Sequence, residues 1–389
     1  MDQEISTGEI RQALREYLAD HDSLAEIRAV ADADPAAGMP PAFDPDVWHG
    51  LVADLGAAGL AVPVEHGGLG LGLQAVTGAL HEAGQVLYPG PLRATLAAAA
   101  ALAAVPAVGE VGGQVATALA AIAGGTAIAA LAVPADDVSG GCGVSADGPL
   151  LRGTARAVPH GATADLLVAV ATSAGRPALV LVSPADLATA ARVLRAGTDF
   201  SCGYADITLD GVAGTMLCAD PVVVSSVLDV AQLLTAAEQV GTAAGALSRT
   251  LGYLKVREQY GQLIGRYQAV QHRCADLAVH IEAASALVEM AAAAADAGDT
   301  GLLAQVALLA RAAASEVSLS AADAMVHLHG GIGFTWEHEA HLFFRRARSA
   351  ASWFGTVRQL RAEAARRDCF ALITQSTPTG PLDAVNSLI

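Results

Sequence analysis

Arg257–Leu277 reads REQYGQLIGRYQAVQHRCADL. It opens at the end of one long helical pattern and runs directly into a second, with Gly261-Gln262-Leu263-Ile264-Gly265 between them. Glycine breaks helices because it adds backbone freedom and tolerates unusual φ/ψ, so these residues predict a turn between two long helices. Arg257 and Tyr260 are three apart and would share one face of a continuing helix, a cation beside an aromatic ring. That pair suits a ligand carrying both phosphate and a flat ring system. A helical hairpin with a surface arginine satisfies the same spacing.

Outward from this stretch, helical periodicity runs over 224–258, 266–297, 300–329, 338–350 and 355–371, the pattern of an antiparallel bundle. The alanine-rich face from Ala283 to Ala297 permits close helix–helix approach and suits a subunit interface. Between 126 and 223 the period shortens. Ala127–Val133, Leu150–Ala157, Leu166–Ala171 and Ala178–Val182 read as strands separated by Gly, Pro and Asp, which points to a small barrel or sandwich. Toward the N-terminus the spacing of Leu14, Leu18, Leu24 and Ile27, and of Trp48, Leu51, Leu55 and Leu60, is helical again. Pro40, Pro41 and Pro45 mark a turn ahead of Trp48, and the Gly-rich run Ala61–Gly72 reads as a connector. The expected organisation is α+β, with an N-terminal helical domain over 1–124, a β domain over 125–223, a helical bundle over 224–372 and a loose tail over 373–389.

Composition narrows the function. With 389 residues, 53% hydrophobic content and 40 glycines, the chain is globular and long enough for two or three domains. A formal charge of −17 argues against nucleic acid and anionic membrane partners, although a local basic pocket can still bind phosphate. The first residues lack the basic and apolar regions of a secretory signal, and the apolar run Ala94–Gly109 is too short to span a bilayer. The five cysteines are scattered without a C-x-x-C pair, which fits free thiols in a reducing cytoplasm.

The Arg257–Leu277 stretch resembles the flavin-contacting signature of acyl-CoA dehydrogenases. His327-Leu-His-Gly-Gly-Ile-Gly-Phe-Thr-Trp-Glu-His-Glu339 resembles the same family's later Gly-Gly segment, and the likeness extends over nearly the whole chain. The resemblance implies an acyl-CoA dehydrogenase fold, FAD as cofactor, an acyl-CoA substrate desaturated between Cα and Cβ, and an electron-transfer flavoprotein as acceptor. It also divides the flavin contacts between two subunits. The set that reaches over a neighbour's flavin is matched here by Arg257, Tyr260, Gln268, Gly330 and Gly331, with His327 where the family usually has Gln. Thr356 matches the last residue of the family's Y-E-G-T.

The set that would hold the subunit's own flavin departs from the pattern. The family's T-E-P-x-x-G-S-D place reads Ala132-Val-Pro-Ala-Asp-Asp-Val-Ser-Gly140, and the K-x-W-I-T-N place reads Arg156-Ala-Val-Pro-His-Gly161, without Trp or Thr. The general base of this chemistry is a carboxylate with a raised pKa. At the two positions where the family carries it stand Phe354 and Ala231. Asp229 and Glu238 are the nearby carboxylates. On an ideal helix they lie about 200° and 700° around from Ala231, so Asp229 faces elsewhere and Glu238 sits roughly two turns on.

What remains is what a subunit offers its neighbour. The resemblance therefore implies a base-lacking partner subunit of an actinobacterial α2β2 acyl-CoA dehydrogenase, completing the flavin site of a sister subunit, with steroid side-chain CoA thioesters as the substrate class. A self-sufficient homotetramer with an unusual base and a flavin-free scaffold of the same fold are the alternatives. A metal site of His327, His329, His338 and His341 is disfavoured because His residues two apart on a helix point about 200° apart. Glu337 and Glu339 are expected at a helix start, paired with Arg345 or Arg346.

Overall fold

A computed structural model describes residues 7–33, 43–106, 108–195 and 197–369. The expected Pro40–Pro41 turn and the tail over 373–389 lie outside the described residues. Helices come first: α1 (Thr7–Ala19), α2 (Ser23–Ala31), α3 (Pro45–Leu55), α4 (Leu73–Gln85), α5 (Leu92–Ala103) and α6 (Gly109–Ala123). Strands follow: β1 (Ala129–Ala132), β2 (Val144–Asp147), β3 (Leu150–Pro159), β4 (Leu166–Ser173), β5 (Arg176–Val182), the short helix α7 (Pro184–Leu187), then β6 (Ala191–Leu194), β7 (Tyr204–Ala213) and β8 (Thr215–Cys218). The chain then returns to helix with α8 (Pro221–Leu254), a hairpin of β9 (Glu258–Gln259) and β10 (Gln262–Leu263), α9 (Gln268–Asp296), α10 (Thr300–His329), α11 (Ala340–Ser352) and α12 (Val357–Arg366).

The sheet runs β6-β7-β3-β2-β4-β5-β8, with β1 pairing parallel to β4. Strand alternation sends successive side chains to opposite faces, and β4 uses both. Leu166, Val168 and Val170 join the large core shared with the helices. Leu167, Ala169 and Ala171 join a second interior with Leu151, Val158, Ile207 and Leu209, so the two wings of the sheet close over one apolar filling. Burial on both faces explains why β4 reads as an unbroken apolar run.

The helical part is organised on α8. Its start is fixed by Asp220, whose carboxylate accepts from the Val222 N–H, with Pro221 in the first helical position. Against α4 the backbones nearly touch. A Cβ added at Gly241 or Gly245 would stand 2.1 or 2.2 Å from the carbonyl oxygens of His81 or Gln85, so only glycine allows this approach. By length and composition α8, α9 and α10 could each cross a membrane, but they pack on one another as core helices. All five cysteines are free thiols. Glu82 on α4, fully buried, accepts from Arg11 and Arg15 and so fastens α1 to the bundle.

Candidate functional site

The predicted turn after α8 is a hairpin, and the expectation that Arg257 and Tyr260 share a helical face is corrected. The helix ends at Leu254. Glu258–Gln259 pair with Gln262–Leu263, and the two residues between them, Tyr260 and Gly261, have φ of 54° and 76°. Two central residues at positive φ make the tight turn whose twist matches a hairpin. Tyr260 stands at its tip, 94% exposed, and Arg257 is exposed at its base. Gln268 opens α9, with its side chain in solvent.

The Gly-Gly segment lies beside this hairpin. Tyr253, one turn before Arg257, stacks on His329 at 4.4 Å, and its hydroxyl donates to the His329 carbonyl. Gly330 ends α10 at φ 65°, a conformation that L side chains resist. No atom of the described chain comes within 4 Å of a Cβ added at Gly330 or Gly331, so both backbones are open to an incoming ligand. His327 is exposed one turn earlier. Arg257, Tyr260, Gln268, His327, Gly330 and Gly331 thus gather at one end of the bundle, along with exposed Val256, Ile332, Phe334 and Trp336. Thr356 is separate. It caps α12 in a reciprocal box with Gln359, whose side-chain nitrogen donates to the Asp136 carbonyl near the sheet.

The four histidines do not converge on a metal position. His329 stacks on His338 at 4.3 Å, and His341 stacks on Trp336 at 4.5 Å. Among the described residues no three His, Cys, Asp or Glu side chains form a metal-binding group. The expected pairing of Glu337 and Glu339 with Arg345 or Arg346 is also corrected. Glu339 pairs with Arg249 on α8 at 3.1 Å, and the Glu337 carbonyl accepts from Arg28 on α2. Arg345 lies over the rings of Phe200 and Trp336, while Arg346 is buried elsewhere.

At the positions where the resemblance puts a catalytic base, the interior is closed. Ala231 and Trp353 line a cavity of about 10 Å³ with Arg93, Ala94, Leu131, Pro159 and Thr235. That volume is roughly one water molecule and admits no acyl group. Phe354 is wholly buried. Its N–H donates to the Ala135 carbonyl, and its carbonyl accepts from Gln232. The Trp353 indole N–H donates to the Ala157 carbonyl at 2.9 Å, and Arg93 lies over the ring at 4.9 Å.

Arg93 belongs to a buried ionic network that sequence reading missed. Glu238 accepts from Arg93 at 2.9 Å and from Arg346 at 3.2 Å. Arg346 also donates to Ser201 and to the Tyr88 carbonyl, with Asp199 at 3.6 Å. Burial alone would raise the Glu238 carboxyl, but the two guanidinium groups outweigh it and hold it below the usual range. Burial, with Arg93 and Arg346 adding to it, pushes His160 down to about 3. The signal available in the sequence was Arg93 itself, a lone cation in the alanine-rich run Leu92–Ala103.

Asp229 is no base for the cleft either, since its carboxylate lies 2.7 Å from Arg367. The pair favours the arginine cation, yet Asp229 is 2% exposed, and dehydration outweighs the attraction and raises its carboxyl to about 6. A folded pKa above the unfolded one means that protonation favours the fold. The stability from this site therefore grows as pH falls from about 6 toward 4. Asp229→Asn, with Arg367 keeping Glu363 at 2.7 Å, should be more stable than the native chain at pH 8 by about 1–2 kcal/mol in urea unfolding. The gain should vanish near pH 4.

Flavin fits the two places differently. The open end of the bundle offers a cation, an aromatic ring, amide and imidazole donors, and two glycine backbones that nothing obstructs. On the sheet side, a cavity of about 510 Å³ is lined by Pro134, Asp136, Asp137, Thr154 and Arg156. No aromatic ring lines it to lie against a flavin, and its one cation, Arg156, stands beside two carboxylates, so this half fits the cofactor poorly.

A family profile described as "Acyl-CoA dehydrogenase, C-terminal domain" matches residues 222–367. Acyl-CoA dehydrogenase IpdE2 of Mycobacterium tuberculosis is 34% identical over 356 residues, covering 90% of this chain and 95% of that protein. Among solved structures, a chain of a variant of the Tcur3481-Tcur3483 steroid ACAD superposes with a TM-score of 0.82 at 31% identity, covering 95% of this chain and 99% of that one. A chain of the ChsE4-ChsE5 complex of Mycobacterium tuberculosis superposes with a TM-score of 0.81, covering 97% and 100%, and at 22% identity shows the fold alone.

Proposed function

The chain belongs to the acyl-CoA dehydrogenase family of oxidoreductases, and from that premise we propose that it is the non-catalytic partner subunit, completing the flavin site of a sister subunit. The observation that carries this reading is the contrast between its two ends. The cavity beside Ala231 and Trp353 is shut to about 10 Å³ and Phe354 is wholly buried, while Arg257 and Tyr260 are exposed and the backbones of Gly330 and Gly331 are unobstructed.

In the assembled site Arg257 would hold a phosphate group, Tyr260 would offer its ring to a flat ring system, and Gln268 and His327 would supply hydrogen-bond donors. The backbones of Gly330 and Gly331, with no side chain over them, would allow the ligand a close approach. FAD, when bound there, supplies the hydride acceptor for α,β-desaturation. The α-proton is removed by a carboxylate of the sister subunit, because this chain buries Glu238 between two arginines and Asp229 against Arg367. We assign CoA thioesters of steroid side chains as the substrate class, supported by the likeness to a chain of a steroid ACAD, and electron-transfer flavoprotein as acceptor, on the family resemblance.

The test is the flavin content per chain, read from visible absorbance, for the protein alone and co-expressed with the product of a neighbouring gene of the same family. The expected outcome is no flavin alone and about one flavin per two chains in the complex. Full occupancy of the isolated chain overturns the proposal in favour of a self-sufficient enzyme.

A further inference from the structure

The segment from Gly330 to Glu339 carries the open glycine backbones, exposed Ile332 and Phe334 (50% and 88%), and Trp336. Short 3₁₀ turns shape its first half, and a hydrogen bond from the Thr335 hydroxyl to the Ile332 carbonyl braces it. Its second half is fastened by imidazoles. The Ala340 N–H, in the first turn of α11, donates to Nδ1 of His338 at 3.1 Å. A backbone N–H can only donate, so that nitrogen carries a lone pair and the neutral ring holds its proton on Nε2. His341 approaches the Trp336 carbonyl through Nε2 at 3.2 Å, which places its proton there and leaves its buried Nδ1 without a partner. His338 lies 4.3 Å from buried His329, whose own Nδ1 faces the Met325 carbonyl.

We propose that His338 positions the Gly330–Glu339 segment through the Nδ1 lone pair it offers to the first turn of α11, and holds the flavin-facing surface in place only while its imidazole is neutral. A second proton must go to Nδ1. It would turn the acceptor into a donor pointed at another donor, at the positive end of a helix. On balance the surroundings oppose that charge. Arg28 approaches from α2, His329 with Tyr253 behind it from α10 and α8, and His341 from the next turn of α11. Glu339, the adjacent carboxylate, favours the charge but by less than burial and His329 oppose it, and it is shared with Arg249 of α8. Burial, and then His329, lower the His338 pKa below its ordinary value. Burial and nearby cations do the same to His341, against the pull of the Trp336 carbonyl. A lowered folded pKa means the histidine contribution is complete above the unfolded value and is lost as pH falls through it toward the folded one. His338 is thus a positioning residue whose hold on the segment is released by acid.

That the segment faces a flavin rests on the partner reading, but the claim about His338 and the segment does not, and its test needs no partner. Hydrogen exchange of residues 330–345 is followed in the isolated chain from pH 7.5 to 5.5, corrected for the intrinsic pH dependence of exchange. Protection of the Ala340 amide and its neighbours should fall by about tenfold, the change that one pH unit of differential proton binding supplies. In His338→Asn, whose side-chain oxygen accepts the same N–H without titrating, the loss should be less than about twofold. His338→Ala should be unprotected throughout. An equal loss in native and Asn forms, or none in the native chain, overturns the proposal. So does a nitrogen chemical shift showing His338 Nδ1 protonated in the native protein at pH 7.5. Half-stoichiometric flavin in the complex with no acid release of the segment leaves the partner reading standing and removes this one.

Discussion

Glu238→Gln is expected to destabilise the protein by about 3–5 kcal/mol at pH 7, measured as a lowered urea midpoint with unchanged slope. The carboxylate is 8% exposed and takes hydrogen bonds from both Arg93 and Arg346. Gln can keep one acceptor contact but cannot offset two buried guanidinium charges. Breaking a buried pair from one side leaves the cation uncompensated, which is far costlier than losing the pair as a whole. Because the folded carboxyl lies below its ordinary value, its contribution is present at neutral pH and is lost as pH falls below about 4. The acid limb of the stability profile should therefore flatten in the Gln form. A catalytic base in an open cleft behaves oppositely, with activity abolished and the fold unharmed. Unchanged stability here would return Glu238 to the candidate bases.

Restoring a carboxylate at the family's base position should also fail, for a packing reason. Phe354→Glu is expected to lower stability by about 3–5 kcal/mol and to yield no desaturase activity in the isolated chain. Phe354 has no exposed surface, its ring lies 5.6 Å from Trp353, and both its backbone groups are bonded to the surrounding core. A carboxyl there is dehydrated and stays protonated. The indole of Trp353 and the guanidinium of Arg93 still fill the space a thioester would need. Acyl-CoA-dependent reduction of a dye by Phe354→Glu alone would show that the cleft opens and that the closed-cleft reading is wrong.

The long elements were legible because their signals are local. The periodicity of 224–258 found α8, though the helix stops at Leu254, where the hairpin claims the residues the pattern had extended over. A positive φ at Tyr260 belongs to a two-residue turn, and nothing in a helical wheel announces it. The apolar runs of β3, β4 and β5 were readable, whereas β2 and β7 intersperse buried with more exposed residues, β6 buries none fully, and all three escaped notice. The candidate residues at the open end came from the family likeness and not from periodicity. The Arg93–Glu238–Arg346 network was invisible for a different reason. Its members come from α5, α8 and α11, and a pairing across 108 residues, as between Glu238 and Arg346, leaves no trace in spacing.

The single helix α8 bears both the shut cleft and the approach to the open face. From Ala231 to Tyr253 is roughly 33 Å at 1.5 Å per residue. Two regions so far apart on one rod can be worn away or kept independently, since a substitution at one end changes no contact at the other. A duplicated gene of this fold could thus shed its own chemistry without spoiling its service to a neighbour. The sister copy could in turn relax the outward face and keep the reaction. Each would then depend on the other's survival, a mutual obligation reached through losses alone.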